Sequence, residues 1–330
     1  MTELSLQKRN LTSLPESLRR SDNLQRLELG ENALESLPEW LGELDSLEEL
    51  GLDLNRLSKL PDTIGRLDRL KKLSLYSNLL TSVPESFWQL TNLEFLNLSE
   101  NHLVSISDRI GGFSHLHTLD LGHNLLSALP ESIGDLSSLA YFLYLSNNQL
   151  AALPASLVKL DKLAYLNATD NQLTGLPDEI GKMAGLKEIR LYNNRLAALP
   201  DSLGELAQLR ELHLMNNQLM RLPESLGNLS NLRKLILTGN RLVALPAAVG
   251  SLERLTDLDL RNNRLEALPE SIASLANLRY LDLRANRLTS LPESLASLPA
   301  LEKLDLRWNK WLSRPAWVEG LEQRGCVVYR

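Results

Sequence analysis

A segment of 23 residues repeats along this chain and reaches to about residue 323. The repeat that begins at Leu24 reads LQRLELGENALESLPEWLGELDS, and repeats in the same phase begin every 23 residues up to Leu116. One additional residue near Leu139 shifts the phase once, after which repeats resume at Ala140 and continue to Leu301. The 330-residue chain therefore holds fourteen repeats, and the last merges into a tail. A fixed period of this length is typical of architectures in which each repeat packs only against its neighbours.

Each repeat combines two hydrophobic periods. Leucines at positions 4 and 6, such as Leu27 and Leu29, alternate with polar residues and predict a short strand. Apolar residues at positions 14, 18 and 21, such as Leu37, Leu41 and Leu44, are spaced by four and three and predict a helical or 3₁₀ turn. Neither element buries its apolar side alone, so we expect the repeats to stack around one continuous leucine core.

Two further positions are nearly constant. Position 9 is Asn in thirteen repeats, from Asn32 to Asn309, and Arg9 is the exception. An amide among core leucines needs hydrogen-bond partners, so we expect a structural ladder of asparagines bound to neighbouring backbone groups. Position 15 is Pro in thirteen repeats and begins the turn, where a fixed φ and a missing donor are tolerated.

The pattern LxxLxLxxNxLxxLPxxLGxL resembles the leucine-rich repeat family, specifically its 23-residue intracellular subclass found in Ras-scaffold-like, plant Ras-group-related and bacterial repeat proteins. The resemblance covers residues 1 to 323. It implies an α/β solenoid, an open right-handed horseshoe of about 14 repeats, with a parallel concave β-sheet and short 3₁₀ or helical convex turns. It also implies that the concave face binds proteins, without naming the partner.

Positions 3, 5 and 7 are predicted to point outward from the sheet, with position 8 close by. In repeats 4 to 10 these positions carry aromatic, histidine and methionine side chains with few charges, which suit contacts with a partner. The alternative is a scatter of aromatics that favour strands whatever the function. The predicted binding residues of this central zone are Tyr76, Phe95, Phe142, Tyr144, Tyr165, Tyr192, His213 and Met215.

The last four repeats present a basic zone in which Asp-Leu-Arg occurs in three consecutive strands. Its arginines, Arg261, Arg284 and Arg307, complete the set of predicted binding residues. One interpretation is a solvated lattice of ion pairs, each of which contributes about 0 to 1 kcal/mol. The other is electrostatic steering of an acidic protein partner. Interleaved acids argue against nucleic acid.

The regular pattern breaks between repeats 5 and 8. Ser107 replaces the usual proline, an extra residue lies in the segment 139–143, and Ala168 replaces a core leucine. An extra residue in or beside a strand predicts a bulge that re-aims Tyr141, Phe142 and Tyr144. A neutral slip, compensated by the smaller Ala168, is the alternative interpretation.

Chemistry for catalysis is not indicated by the sequence. Phosphate-binding loops, HExxH and paired CxxC motifs do not occur, so we predict no enzymatic activity, no cofactor and no metal site. Four histidines occur within 22 positions, but the repeat does not place three of them together: His102, His115, His117 and His123. Cys326 is the single cysteine and is predicted to be a buried thiol beside a terminal strand.

The two ends differ. The tail groups Trp308, Trp311 and Trp317 around an amphipathic turn and is predicted to cap the core. We expect one domain, with repeats 1 to 13 in residues 1–300 and the last repeat and cap in residues 301–330. The first repeat has no comparable cap, so a monomer that can self-associate through its N-terminal end is expected.

Composition adds limits on location and charge. The single cysteine, the start MTELSLQKRN with an acid at Glu3 and no apolar h-region, and the lack of a long apolar run predict a cytoplasmic protein without a membrane span. The net charge of −6 includes eleven acids at position 16, behind the prolines, so it describes the convex side. The predicted function is a non-enzymatic scaffold that binds a protein or peptide. The alternatives are a stoichiometric inhibitor or immunity-type protein, and a recognition subunit whose catalytic part is on another chain.

Overall fold

The computed structural model describes residues 2–313 and 315–330. The chain divides into two compact units, Met1–Leu163 and Ala164–Arg330, called here the N-terminal and the C-terminal unit. In both units each repeat contributes one three-residue strand and one short turn, as the two hydrophobic periods predict.

The strands of the N-terminal unit pair in chain order, and every pair is parallel. They are β1 (Glu3–Ser5), β2 (Arg26–Glu28), β3 (Glu49–Gly51), β4 (Lys72–Ser74), β5 (Phe95–Asn97), β6 (Thr118–Asp120) and β7 (Phe142–Tyr144). The 3₁₀ helices are Glu16–Arg20, Glu39–Glu43, Ile64–Arg66, Glu85–Gln89, Asp108–Gly112, Glu131–Asp135 and Ala155–Lys159.

The C-terminal unit has the same organisation, again with parallel pairs in chain order. Its strands are β8 (Tyr165–Asn167), β9 (Glu188–Arg190), β10 (Glu211–His213), β11 (Lys234–Ile236), β12 (Asp257–Asp259), β13 (Tyr280–Asp282), β14 (Lys303–Asp305) and β15 (Val327–Tyr329). The 3₁₀ helices are Ile180–Lys182, Asp201–Glu205, Glu224–Asn228, Ala247–Ser251, Glu270–Ser274 and Glu293–Ser297, and α1 is Val318–Gln323.

The core consists of the leucine columns. The central residue of each strand from β2 to β14 is buried, and its two neighbours in the strand are mostly half-buried. Leucines of the turns, such as Leu41 and Leu203, are also fully buried. In the repeats near the middle of the N-terminal unit, Phe87, Trp88 and Phe113 replace smaller residues and pack ring to ring at 5.3 to 6.2 Å. Burial of these columns stabilises the fold by about 25 cal/mol per Å² of apolar surface.

The asparagine ladder is confirmed. Asn124 is 5% exposed, and its carbonyl oxygen accepts a hydrogen bond from the Leu103 amide at 2.9 Å. Its amide group donates to the Leu98 carbonyl at 3.0 Å and to the Leu121 carbonyl at 3.2 Å. Leu98 and Leu103 belong to the preceding repeat, so each such asparagine ties two repeats together through buried backbone groups.

The prolines begin the 3₁₀ helices, as expected. Ten of them occupy the residue just before a helix, with extended backbone such as φ −71° and ψ 151° at Pro38. Ser107 takes the same place with φ −66° and ψ 148°. Its hydroxyl accepts a hydrogen bond from the Arg109 amide at 3.2 Å, so a side-chain cap replaces the rigid ring.

Position 8 has a left-handed backbone in all fourteen repeats. Asparagine and glycine, which tolerate a positive φ, occupy only some of these positions, among them Asn193, Asn216 and Gly239. Leu54 and Trp308 adopt φ of 54° and 64°, respectively. The repeat geometry imposes this conformation even where the local sequence does not favour it.

The extra residue near Leu139 does not form the predicted bulge within a strand. The register of β6 and β7 runs without interruption through Thr118↔Phe142, Leu119↔Leu143 and Asp120↔Tyr144. Leu139 is 1% exposed and fills the core place of position 1. The added residue therefore lies between Leu139 and the strand, where a loop absorbs it.

In the C-terminal tail, Trp308 and Trp311 are 71% and 60% exposed, and Trp317 is half-buried. Val318 and Leu321 of α1 are each 1% exposed, so the buried apolar side chains of the tail come from α1 rather than from the tryptophans. The predicted terminal strand is confirmed as β15, and Cys326 ahead of it is buried. With parallel strands throughout and a short 3₁₀ helix in each of the first thirteen repeats, the fold is an α/β solenoid.

Candidate protein-binding face

The outward side chains of the strands form one face in each unit, called here the strand face and defined by repeat positions 3, 5 and 7. All eleven residues predicted for binding are at least partly exposed on it, and Phe142 is the most open of the aromatics among them at 41%. The period-2 alternation explains this placement, because core leucines occupy positions 4 and 6.

Two ring stacks lie at the end of the N-terminal unit, and their four residues are called here the aromatic patch: His117, Tyr141, Phe142 and Tyr144. The rings of Phe142 and Tyr144 stack with centroids 5.6 Å apart and an angle of 13°. The rings of His117 and Tyr141 stack at 5.7 Å and 27°. Tyr141 is 58% exposed, so the two stacks present aromatic surface to solvent.

The backbone sets the positions of these rings. Phe142 and Tyr144 are the first and third residues of β7, so their side chains leave the same face of the sheet. The Tyr141 amide donates to the His117 carbonyl at 3.0 Å, which places each ring of that pair just before its strand. The patch therefore rests on a hydrogen-bonded sheet rather than on a loose loop.

An acidic group lies in register with the patch. Asp120 pairs with Tyr144 across β6 and β7. Burial raises the pKa of the Asp120 carboxyl, although the Gly122 amide donates to it at 2.9 Å and partly offsets this effect. A partly buried carboxyl group therefore lies on the strand next to Tyr144.

The other predicted residues of the N-terminal unit belong to the two earlier repeats that contain β4 and β5. Phe95 is half-buried on β5, and Tyr76 follows β4. The pKa of the Tyr76 phenol is raised, chiefly by a hydrogen bond to the Glu100 carboxylate and to a smaller extent by burial. Nearer the N-terminus the face is charged, because Arg26 lies between Glu3 at 3.0 Å and Glu49 at 2.7 Å.

The tyrosine, histidine and methionine residues predicted for binding in the C-terminal unit lie beside charged side chains. The Arg190 guanidinium is 5.7 Å from the centre of the Tyr165 ring. Tyr192 and Met215, both half-buried, follow β9 and β10. His213 Nε2 is 3.1 Å from a Glu211 carboxylate oxygen. This part of the face is therefore less purely aromatic than the spacing of Tyr and Met predicts.

The basic zone is a network of ion pairs. Asp305 is fully buried, and one of its oxygens lies 2.6 Å from Arg307 Nη2 and 3.3 Å from Arg284 Nε. Arg284 also contacts Asp282 at 2.6 Å, and Arg261 lies 3.2 Å from Asp259. The geometry agrees with the lattice interpretation, since each arginine is paired with the aspartate two residues before it.

The set of binding residues predicted from the sequence lacks two members of the patch, His117 and Tyr141. His117 is at position 2, which the repeat logic assigns to the turn before the strand. Tyr141 lies at the equivalent place of the next repeat, one residue before β7, and its ring stacks on His117. A second aromatic at the same repeat position is the signal that could have revealed this pair.

Within the part of the chain that the structure describes, none of His102, His115, His117 and His123 belongs to a cluster of three metal-ligating side chains. Burial raises the pKa of the Cys326 thiol, which disfavours the reactive thiolate. Over residues 2–313 and 315–330, no helix has the length and apolar character required to cross a bilayer.

Comparisons with known proteins agree with this geometry. Two sequence profiles match: "Leucine rich repeat" over residues 1–57 and 46–103, and "Leucine-rich repeat region" over residues 104–222 and 222–323. No curated protein matches the sequence significantly. Among solved structures, a leucine-rich-repeat protein of Leptospira interrogans is 36% identical, with a TM-score of 0.89, over 97% of this chain and 82% of that one.

Two further solved proteins are similar over a shorter share of their own length. The plant peptide hormone receptor RGFR1, solved with RGF2, is 29% identical with a TM-score of 0.80 over 93% of this chain and 51% of that one. PEPR1, solved with AtPEP1, is 31% identical with a TM-score of 0.82 over 96% of this chain and 46% of that one. This chain thus spans about half of the length of each of these two chains. The profiles, the relative from Leptospira and the observed solenoid together establish that the chain belongs to the leucine-rich repeat family.

Proposed function

We propose that this chain binds a protein or peptide through its strand face and that the aromatic patch anchors the partner. The observation that carries the proposal is the pair of exposed ring stacks at His117, Tyr141, Phe142 and Tyr144. Tyrosine in particular supplies large contact area at low entropic cost and is over-represented among residues that dominate binding energy. Exposed apolar surface concentrated in one place is the usual mark of an interaction site.

The patch is suited to binding because it is pre-organised. The rings are held by mutual stacking, and β7 continues the ladder of β6 in register. A partner therefore does not bear the cost of ordering a loop, which otherwise reduces affinity.

The solved relatives support a binding role of this kind. RGFR1 is a peptide hormone receptor solved in complex with RGF2, and PEPR1 is solved with AtPEP1. The proposal assigns to this chain a partner of the same broad class, a protein or peptide, and assigns no catalytic role to any residue.

Use as a scaffold, rather than as an inhibitor or as a recognition subunit, is the form we propose. The C-terminal unit has its own strand face, where ion pairs lie among aromatic side chains such as Tyr165, and where Asp305 holds Arg284 and Arg307. Two faces of different chemistry suit two partners. A scaffold holds both partners at once, whereas an inhibitor abolishes the activity of one partner at equal stoichiometry.

Affinity capture from the source organism tests the proposal. The immobilised wild-type chain is compared with a Tyr141→Ser/Phe142→Ser double variant and with Val104→Ser. Val104 is 57% exposed but lies outside the strands, so it is a matched control for loss of apolar surface. We expect a protein that is retained by the wild type and by the control and lost from the double variant. Equal retention by all three chains, with equal melting temperatures, would refute the assignment of the patch.

A further inference from the structure

A second cluster of functional groups lies on the strand face of the C-terminal unit, and its role differs from that of the aromatic patch. Glu188 on β9 and Glu211 on β10 are register partners. His213 is two residues after Glu211, so the three side chains leave the same face of the sheet. One ligand atom from each residue lies within 4.8 Å of the other two. We propose that Glu188, Glu211 and His213 form a binding site for a divalent transition-metal ion of the Zn²⁺ type.

The donor set indicates this class of ion. One imidazole nitrogen and two carboxylate oxygens are common ligands of zinc, and three protein ligands leave a fourth position open. Mg²⁺ and Ca²⁺ prefer six or more oxygens in their coordination shells. In a tetrahedral site with bonds of about 2.1 Å, ligand atoms are about 3.4 Å apart. The separation of His213 Nε2 and Glu211 Oε2, 3.1 Å, is already close to that value.

The cluster is both accessible and supported. The side chains of Glu188, Glu211 and His213 are 24%, 27% and 16% exposed, so an ion reaches them directly from solvent. Their backbones are paired in the sheet, which fixes the separation of the two strands.

Two cations neutralise the acids of the cluster. Arg190 Nε is 2.6 Å from Glu188 Oε1, and Lys234 Nζ is 3.0 Å from Glu211 Oε1. Glu211 therefore offers one oxygen to Lys234 and directs the other, Oε2, toward His213. Both cations compete with a metal ion by charge, but their side chains are 40% and 44% exposed and are able to move into solvent.

This competition gives the site a testable signature. If a metal ion binds Glu211, the positive charge of Lys234 opposes it through Coulomb repulsion at close range. Removal of the Lys234 charge should then strengthen metal binding. A histidine that binds metal without the glutamates would instead keep its affinity in Glu188→Gln.

The test titrates the full-length chain, freed of any affinity tag, with Co²⁺ followed by visible absorption and with Zn²⁺ followed by calorimetry. We expect one ion per chain. His213→Ala and Glu188→Gln should each weaken binding by about tenfold or more, because each removes a ligand. Lys234→Met should strengthen binding severalfold. His102→Ala, at an exposed histidine of the N-terminal unit, is the matched control and should leave the affinity unchanged.

Far-UV circular dichroism and the melting temperature, measured without metal, show that each variant is folded. Excess Mg²⁺ should leave the Co²⁺ spectrum unchanged. The proposal is overturned if the wild type shows no saturable binding of one ion per chain. It is also overturned if folded His213→Ala binds as tightly as the wild type, or if Lys234→Met binds no more tightly.

Discussion

The rings of Phe142 and Tyr144 stack 5.6 Å apart, with planes only 13° from parallel, on the outward side of one three-residue strand. Alternate residues of a strand point to the same side, so the stack follows directly from the order Phe-Leu-Tyr around the buried Leu143. The strand thus supplies a rigid aromatic surface of the kind that dominates protein interfaces.

The asparagine ladder predicts a large stability effect from one buried amide. Asn124→Ala leaves the Leu103 amide and the Leu98 and Leu121 carbonyls without these partners, and we expect a loss of about 3 kcal/mol in the free energy of unfolding. Asn92→Ala removes one exposed bond to the Asp68 carbonyl and should cost below about 1 kcal/mol. Urea unfolding measures both variants, and similar losses would contradict the structural role of the ladder.

Ser107 predicts a difference between two substitutions at one site. Ser107→Ala removes the bond from the Arg109 amide and should lower stability by about 1 kcal/mol. Ser107→Pro loses the same bond, but φ of −66° already suits the proline ring, so part of the loss should be recovered. Melting temperatures of the three chains decide the order. A melting temperature of Ser107→Pro below that of Ser107→Ala would show that position 107 is not equivalent to the proline positions of the other repeats.

Any side chain at position 239 is expected to lower the free energy of unfolding. The φ of Gly239 is 72°, and an added Cβ would lie 2.3 Å from Asn216 Oδ1. We expect Gly239→Ala to lower the free energy of unfolding by about 1 to 2 kcal/mol. Gly112→Ala is the control, because nothing lies within 4 Å of the added atom there. Equal stability of the two variants in urea would contradict the left-handed requirement at position 8.

Asp305 predicts a stability difference that depends on pH. Burial alone would raise the pKa of its carboxyl, but hydrogen bonds from Arg307 and the charge of Arg284 outweigh burial and lower that pKa. Asp305→Asn should lower stability by about 2 kcal/mol at pH 7, because two guanidinium groups lose a charged partner.

The sign of this dependence follows from the lowered pKa. Because the folded state holds the carboxyl ionised more strongly than the unfolded state does, the contribution is complete above the unfolded pKa of about 3.9. It is lost as pH falls through the lower folded pKa. Urea unfolding at pH 7 and at about pH 2.5 should therefore show the wild type and Asp305→Asn converging at acid pH. A constant or growing difference would contradict the ion-pair assignment.

Most of the fold follows from positions that repeat. Leucine spacing predicts the strands and turns, the constant Asn predicts a buried ladder that Asn124 exemplifies, and the prolines mark the start of the 3₁₀ helices. These features are predictable because each repeat packs against its two neighbours in the same way. The exposure of the strand-face residues, including Phe142, follows from the same alternation.

What the sequence did not predict arises between repeats or at irregular places. The ring pair of His117 and Tyr141 joins two residues that lie just before neighbouring strands, at a position that the repeat pattern assigns to the turn. Trp308 is exposed because the left-handed backbone at position 8 turns its side chain outward. The hydrophobic character of a residue alone does not predict this orientation. Glu188 reaches His213 across two strands, and linear spacing alone does not reveal that pair.

The most direct test of the central claim is the affinity of the chain for the partner captured from its source organism. Isothermal titration compares the wild type, Tyr141→Ser/Phe142→Ser and Val104→Ser, with melting temperatures as the folding control. The account predicts that the double variant binds at least about 30-fold more weakly, equivalent to about 2 kcal/mol for hot-spot residues, while Val104→Ser matches the wild type. A double variant that melts and binds like the wild type would contradict it.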